Sequence, residues 1–242
     1  MRHCRRIVYY LVYSLAVIGG MNIICRHINS AYVLFDINIS FADMLLWCLY
    51  KGIYVSYVMP LVYIFFYNRR LKRLTDVHLA VRGQSRYRII LMQEMYIVKL
   101  GVINAVLCMA GMSVSAFEGN VDFYNLSSAD SMFYLITQKT FSGNRYFVYA
   151  IIFYYMFLQT VFILSCVLLV YVIFRKKALI CLGIAITWIM EFTASGLVVS
   201  NSNCYKVLLN ISAGYVYMLR IPLLLVIVGI MILLIYRNRE YR

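Results

Sequence analysis

Long apolar runs alternating with short polar stretches set the pattern of this chain. The runs lie near 7–25, 41–67, 97–117, 146–174, 178–199 and 215–236. A helix needs roughly 20 apolar residues to cross the hydrocarbon of a bilayer, so the pattern predicts an all-α polytopic membrane protein: one transmembrane domain, residues 1–242, with about six helices. Arg2, Arg5 and Arg6 precede the first run, Ile7 to Ile24. No small-x-small cleavage site follows it, and the residues before Cys25 do not read as a lipoprotein site, so a retained span is expected rather than a signal peptide. The second run carries Pro60, which removes a backbone donor and is expected to kink the helix. Tyr146 to Phe174 exceeds the length of a span and is expected to tilt or to extend beyond the bilayer.

The third span admits two placements. Ile89 to Met112 is apolar enough but includes Gln93, Glu94 and Lys99. Alternatively, Arg82 to Tyr96 lies as an amphipathic helix at the inner surface and the span runs from Ile97 to Phe117. The second placement is preferred, because each charge buried in hydrocarbon costs roughly 3 kcal/mol.

Charge orients the pattern. Asn68 to Arg88 holds Arg69, Arg70, Lys72, Arg73, Arg82, Arg86 and Arg88 against the single acid Asp76. Short loops this basic stay on the cytoplasmic side. Arg175, Lys176 and Lys177 and the tail Arg237, Arg239 and Arg242 repeat the signal, and most of the 23 Lys and Arg residues fall on such segments. Both termini are therefore expected inside. Segment 68–96 is then cytoplasmic and 118–145 an outer loop of mixed sign, with Glu118, Asp122, Asp130, Lys139 and Arg145. Many of the 23 Tyr residues sit near the predicted span ends, where amphipathic rings favour the interface. Composition agrees: 64% of residues are hydrophobic, 13% are charged and the mean hydropathy is +0.81, far from a soluble domain. The net charge of +14 follows membrane topology rather than a polar face for phosphates, so no nucleic-acid partner is expected.

Chemistry is sparse. There is no phosphate-binding GxxxxGK[ST], no GxSxG elbow, no kinase set and no Asp pair of an intramembrane protease, so no active site or cofactor is expected. Cys4, Cys25, Cys48, Cys108, Cys166, Cys181 and Cys204 show no paired spacing and read as small buried hydrophobes. His3, His27 and His78 are far apart, so no metal site is expected. Glu191 and Arg220 lie at similar depths in the fifth and sixth spans. They read as an intramembrane pair, either on a translocation path or as a structural ion pair, with Arg220 snorkelling outward as a further alternative. Lys51, near the middle of the second span, is a third such charge and an alternative partner for Glu191. Asp43 is close enough to the outer surface to be solvated. Gly19, Gly20, Gly111 and Gly229 read as close-packing points, and Pro222 as a first-turn proline of the sixth span. Asn-x-Ser sequons at Asn38, Asn125 and Asn210 all fall on predicted outer segments.

A Pro-containing span end, MPLVYIFFY (Met59 to Tyr67), then a polar connector, then VRGQSRYRIILMQEMY (Val81 to Tyr96), resembles the second-to-third-span region of bacterial type-2 ABC transporter permeases. The likeness is to the small stand-alone permease subunits of bacteriocin and lantibiotic export or immunity systems. Arg82, Ser85, Arg86, Tyr87 and Arg88 match a short element that precedes the third span in that group. The resemblance implies that this element is a coupling helix seated in a groove of a separate ABC ATPase subunit. It also implies a second permease chain, identical or a sister subunit, and an exporter of a peptide, lipid or amphipathic compound in a bacterial cell membrane. The N-terminal surface helix of larger relatives is nearly absent here. Two other readings stand beside it: a small-ligand-binding membrane subunit of another transporter, and a membrane-embedded processing or assembly factor acting through Glu118 to Arg145.

Overall fold

The first apolar run carries no proline and no helix break, and it continues as a single helix past Cys25. In a computed structural model, which describes residues 2–33, 37–50, 53–67, 86–174, 207–209 and 211–240, this helix is α1, Arg2–Val33. Arg26 rides on its last turns and is paired there with Glu118. Helix α2 spans Phe41–Tyr50, α3 is the single turn Met59–Val62, α4 spans Arg86–Glu118, α5 Met132–Thr137, α6 Arg145–Phe174 and α7 Ile211–Glu240. No strand occurs among the described residues. Ile7–Tyr32, Leu91–Glu118 and Arg145–Tyr171 are long and apolar enough to cross a membrane, and the bent pair Phe41–Tyr50 and Tyr54–Phe66 makes a fourth if it is one span. These helices mark a membrane protein.

Helix α6 is the centre of the bundle. It packs against α4, α7 and α2, while α1 packs against α4. Val148, Ile152, Tyr155, Met156, Val167 and Leu168 are buried along its length. In contrast, α1 leaves Ile7, Leu11, Leu15 and Ile23 exposed, which suits a face turned to lipid.

Helix α4 runs unbroken from Arg86 to Glu118. The boundary expected between a surface helix and a span at Tyr96 and Ile97 coincides with no break, because nothing in the sequence there stops a helix. Its end is well defined. Asn120 takes a left-handed conformation at φ 49°, and the Val121 amide returns to the Ala116 carbonyl at 3.0 Å. This is a Schellman stop with Asn in the position usually held by Gly. Asn144 opens α6 by accepting from the Tyr146 amide at 2.9 Å, and Ser131 opens α5 by accepting from the Tyr134 amide at 3.1 Å.

Pro222 lies inside α7 rather than in its first turn, because the helix already begins at Ile211. A proline at that place leaves the carbonyl four residues earlier, that of Met218, without its helical donor. The Tyr154 hydroxyl of α6 donates to that carbonyl at 2.7 Å. A neighbouring helix thus repairs the proline's missing rung, as hydrocarbon surroundings require.

Of the glycines expected to pack closely, two do. A methyl group on Gly111 would lie 2.8 Å from the Ile18 backbone oxygen, so α1 and α4 meet backbone to backbone there. One on Gly20 would overlap the Tyr57 hydroxyl, which donates to the Ala16 carbonyl at 2.8 Å. Gly19 and Gly229 have nothing within 4 Å of the same position.

Candidate functional site

The second apolar run departs most from regular geometry. After α2 the chain bends by 72°, and two π-helical turns, Tyr54–Val58 and Tyr63–Tyr67, flank α3. Pro60 opens the helical ladder in this stretch, and wide turns of this kind recur at functional sites.

Around the first π turn the bundle interior is polar. Tyr13, Tyr54, Asn104, Cys108 and Thr160 are each fully buried. They come from α1, the π turn, α4 and α6. The Tyr54 hydroxyl meets Thr160 Oγ1 at 2.5 Å. Thr160 itself donates to the Met156 carbonyl at 3.0 Å, so it receives the tyrosine proton. The Tyr13 hydroxyl donates to Asn104 Oδ1. The Asn104 amide nitrogen is buried with no partner among the described residues. An unsatisfied buried polar group costs about 1–3 kcal/mol, and more where no water can reach it.

A second polar point lies along the α4–α6 seam. Glu94 Oε2 accepts from the Ser165 hydroxyl at 3.0 Å, while Glu94 Oε1 and Gln93 Oε1 are buried without a partner among the described residues. Lys99, by contrast, is exposed. Glu94 is thus lodged between two helices, and Ser165 supplies part of what water would have given it.

Thiols gather as well. Cys25 of α1, Cys48 of α2 and Cys108 of α4 lie near one another. All three are free and buried. Their separation in sequence hid this grouping. No set of three His, Cys, Asp or Glu residues placed to hold a metal ion occurs among the described residues.

At one end of the bundle, residues 119–144 fold into a cap fastened to its neighbours. The Tyr149 hydroxyl donates to the Phe123 carbonyl at 2.5 Å, and the Phe41 and Ala42 amides donate to the Asp122 and Phe123 carbonyls at 2.8 and 3.2 Å. Asp43 is 1% exposed, not solvated as its position in the sequence led us to expect. It is the acidic member of a capping box: Ser40 Oγ accepts from the Asp43 amide at 3.2 Å, and Asp43 Oδ2 accepts from the Ser40 amide at 3.2 Å. Its other oxygen accepts from the Phe133 amide of α5 at 2.9 Å. Asn125, one of the three sequons, is 9% exposed, and its amide nitrogen donates to the Asn38 carbonyl at 2.6 Å.

Of the residues singled out in the sequence, Arg86, Tyr87 and Arg88 form the first turn of α4, and Arg220 lies on α7 two positions before Pro222. Arg82, Ser85, Lys51 and Glu191 lie outside the described residues, and with them the pairing of Glu191 with Arg220 or Lys51. The polar interior was not foreseen. Its signals were faint: an amide at Asn104 inside an apolar run, and tyrosines at mid-run rather than at run ends. No family model matches the chain, and neither a curated protein nor a solved structure matches it.

Proposed function

We propose that the chain is the membrane-spanning permease subunit of an ABC transporter, exporting a peptide, lipid or amphipathic compound from a bacterial cell with energy from a separate ATPase subunit. The observation that carries this reading is the buried polar interior at the bend of the second span, where Tyr13, Tyr54, Asn104 and Thr160 meet. Polar groups kept inside an apolar bundle at a cost in stability mark a path or a moving part. Of the basic element Arg82, Ser85, Arg86, Tyr87 and Arg88, the last three form the first turn of α4, the helix that carries Asn104. A push on that element from a cytoplasmic ATPase would therefore reach the polar interior along a single helix. Two permease chains, identical or sister, would enclose the path between them, with both termini inside.

The test is a detergent pull-down of the tagged protein from its native membrane, with and without the double change Arg82→Glu and Arg86→Glu, read by mass spectrometry. The expected result is an ABC ATPase recovered with the natural sequence and lost with the reversed charges. Recovery of no ATPase in either sample overturns the permease reading.

The ordered cap favours a second reading, a membrane-embedded processing or assembly factor that works at the face carrying residues 119–144. In that case the pull-down recovers a different partner, and the charge reversal leaves its binding intact.

A further inference from the structure

One carboxylate holds two helix starts together. Asp43 Oδ2 accepts from the amide and, at 2.9 Å, the hydroxyl of Ser40, which opens α2. Asp43 Oδ1 accepts from the Phe133 amide in the first turn of α5. Each helix start presents unsatisfied donors and a positive dipole end, and this one buried carboxylate accepts from both, so neither helix can withdraw without stranding a donor. The backbone bonds from Phe41 and Ala42 to the cap lie alongside this clasp. Every residue of α2 except Trp47 and Tyr50 is buried, so the helix cannot shift unless its packing follows. Four positions beyond its end stands Tyr54, bonded to Thr160, where the chain bends and the regular ladder gives way to a π turn.

We propose that Asp43 locks the cap and the first half of the second span into one lever, so that a displacement of the cap is delivered to the Tyr54–Thr160 bond in the bundle interior. The cap spans from the end of α4 to the start of α6, and it meets α2 between them. A load on the cap has two routes. Through Gly119 and Asn144 it enters α4 and α6, both long helices packed along much of their length against each other. Through Asp43 it enters a ten-residue helix that ends at a bend, where the backbone is already irregular. The second route is the shorter one, and a buried helix that moves as a rod delivers its motion to the irregular stretch that carries Tyr54. The lever concerns the protein's own mechanics and holds whether or not an ATPase docks on the chain.

Hydrogen exchange of the full chain in nanodiscs, read by mass spectrometry, tests it. In Asp43→Asn, an amide group replaces one of the two accepting oxygens. Exchange should accelerate about tenfold, the worth of one charge-assisted hydrogen bond, in peptides covering 122–137 and also in peptides covering 54–62. Acceleration confined to the cap, or none in either segment, overturns the lever. Should Asp43→Asn fail to fold, Thr160→Val tests the same coupling from the opposite end. Coupling free energies are reciprocal, so loosening Tyr54 must speed exchange around Phe133. No change there overturns the proposal.

Discussion

Tyr13 and Asn104 show how a buried hydrogen bond differs from its parts. Tyr13→Phe removes the donor and leaves both polar ends of the Asn104 side chain buried without a partner among the described residues, so the variant should lose about 1–3 kcal/mol of stability. Asn104→Leu added to Tyr13→Phe removes the orphaned amide altogether and should restore most of that loss, which thermal unfolding in detergent will read. If transport runs through this interior, the restored double variant should still be inactive. Gly111 gives a steric counterpart. Its Cβ would meet the backbone of Ile18, which cannot swing aside as a side chain can, so Gly111→Ala should cost about 1–3 kcal/mol. Gly19→Ala, with open space at the same position, should stay within about 0.5 kcal/mol. The sequence identified both as small residues in apolar runs. Which of them a neighbouring backbone approaches depends on the crossing of α1 over α4, and that crossing is written in no local pattern.

Helix α7 and its proline carry the next expectation. Tyr154→Phe should destabilise the protein by about 1 kcal/mol, because the Met218 carbonyl loses the donor that replaces the rung Pro222 removed. In a Pro222→Ala background the same Tyr154→Phe change should cost almost nothing, since the backbone then supplies its own hydrogen bond. A double-mutant cycle by thermal unfolding decides between coupling and additivity. The irregularity around Pro60 was legible in the sequence, because a proline in the interior of a helical run opens the ladder. The π turns on either side of it were not, because they depend on how Tyr54 and Tyr57 reach Thr160 and Ala16 on other helices. The same holds for Asp43. Its position near a run end argued for water, and only the fold of residues 119–144 over it shows why it is dry. A Ser at position 40 with an acid three residues on is a readable capping signal, and it could have located the start of α2.

For the molecule entire, membrane character was the plainest thing the sequence offered, because apolar runs of span length have few other uses. The gathering of Cys25, Cys48 and Cys108 was invisible, since three helices far apart in sequence bring them together. That grouping has a direct readout. In the folded protein, peptides containing these cysteines should resist a membrane-permeant maleimide, and they should label fully once sodium dodecyl sulfate unfolds the bundle. Labelling of Cys25 before unfolding would mean that α1 is not seated on α4 and α2 as described. The π turns carry a consequence of phase. Each takes one residue more than an α-helical turn needs, so the first shifts the angular position of everything after it by about 100°. Phe65 and Phe66 lie beyond that shift, in ring contact with Tyr9, Tyr10 and Tyr13 of α1, stacked for Tyr10 and edge-on or tilted for the others. A helical wheel drawn through the whole run would aim them elsewhere, and deleting a single residue between Tyr54 and Val58 should strip this aromatic seam from α1 while leaving the hydrophobicity of the run unchanged.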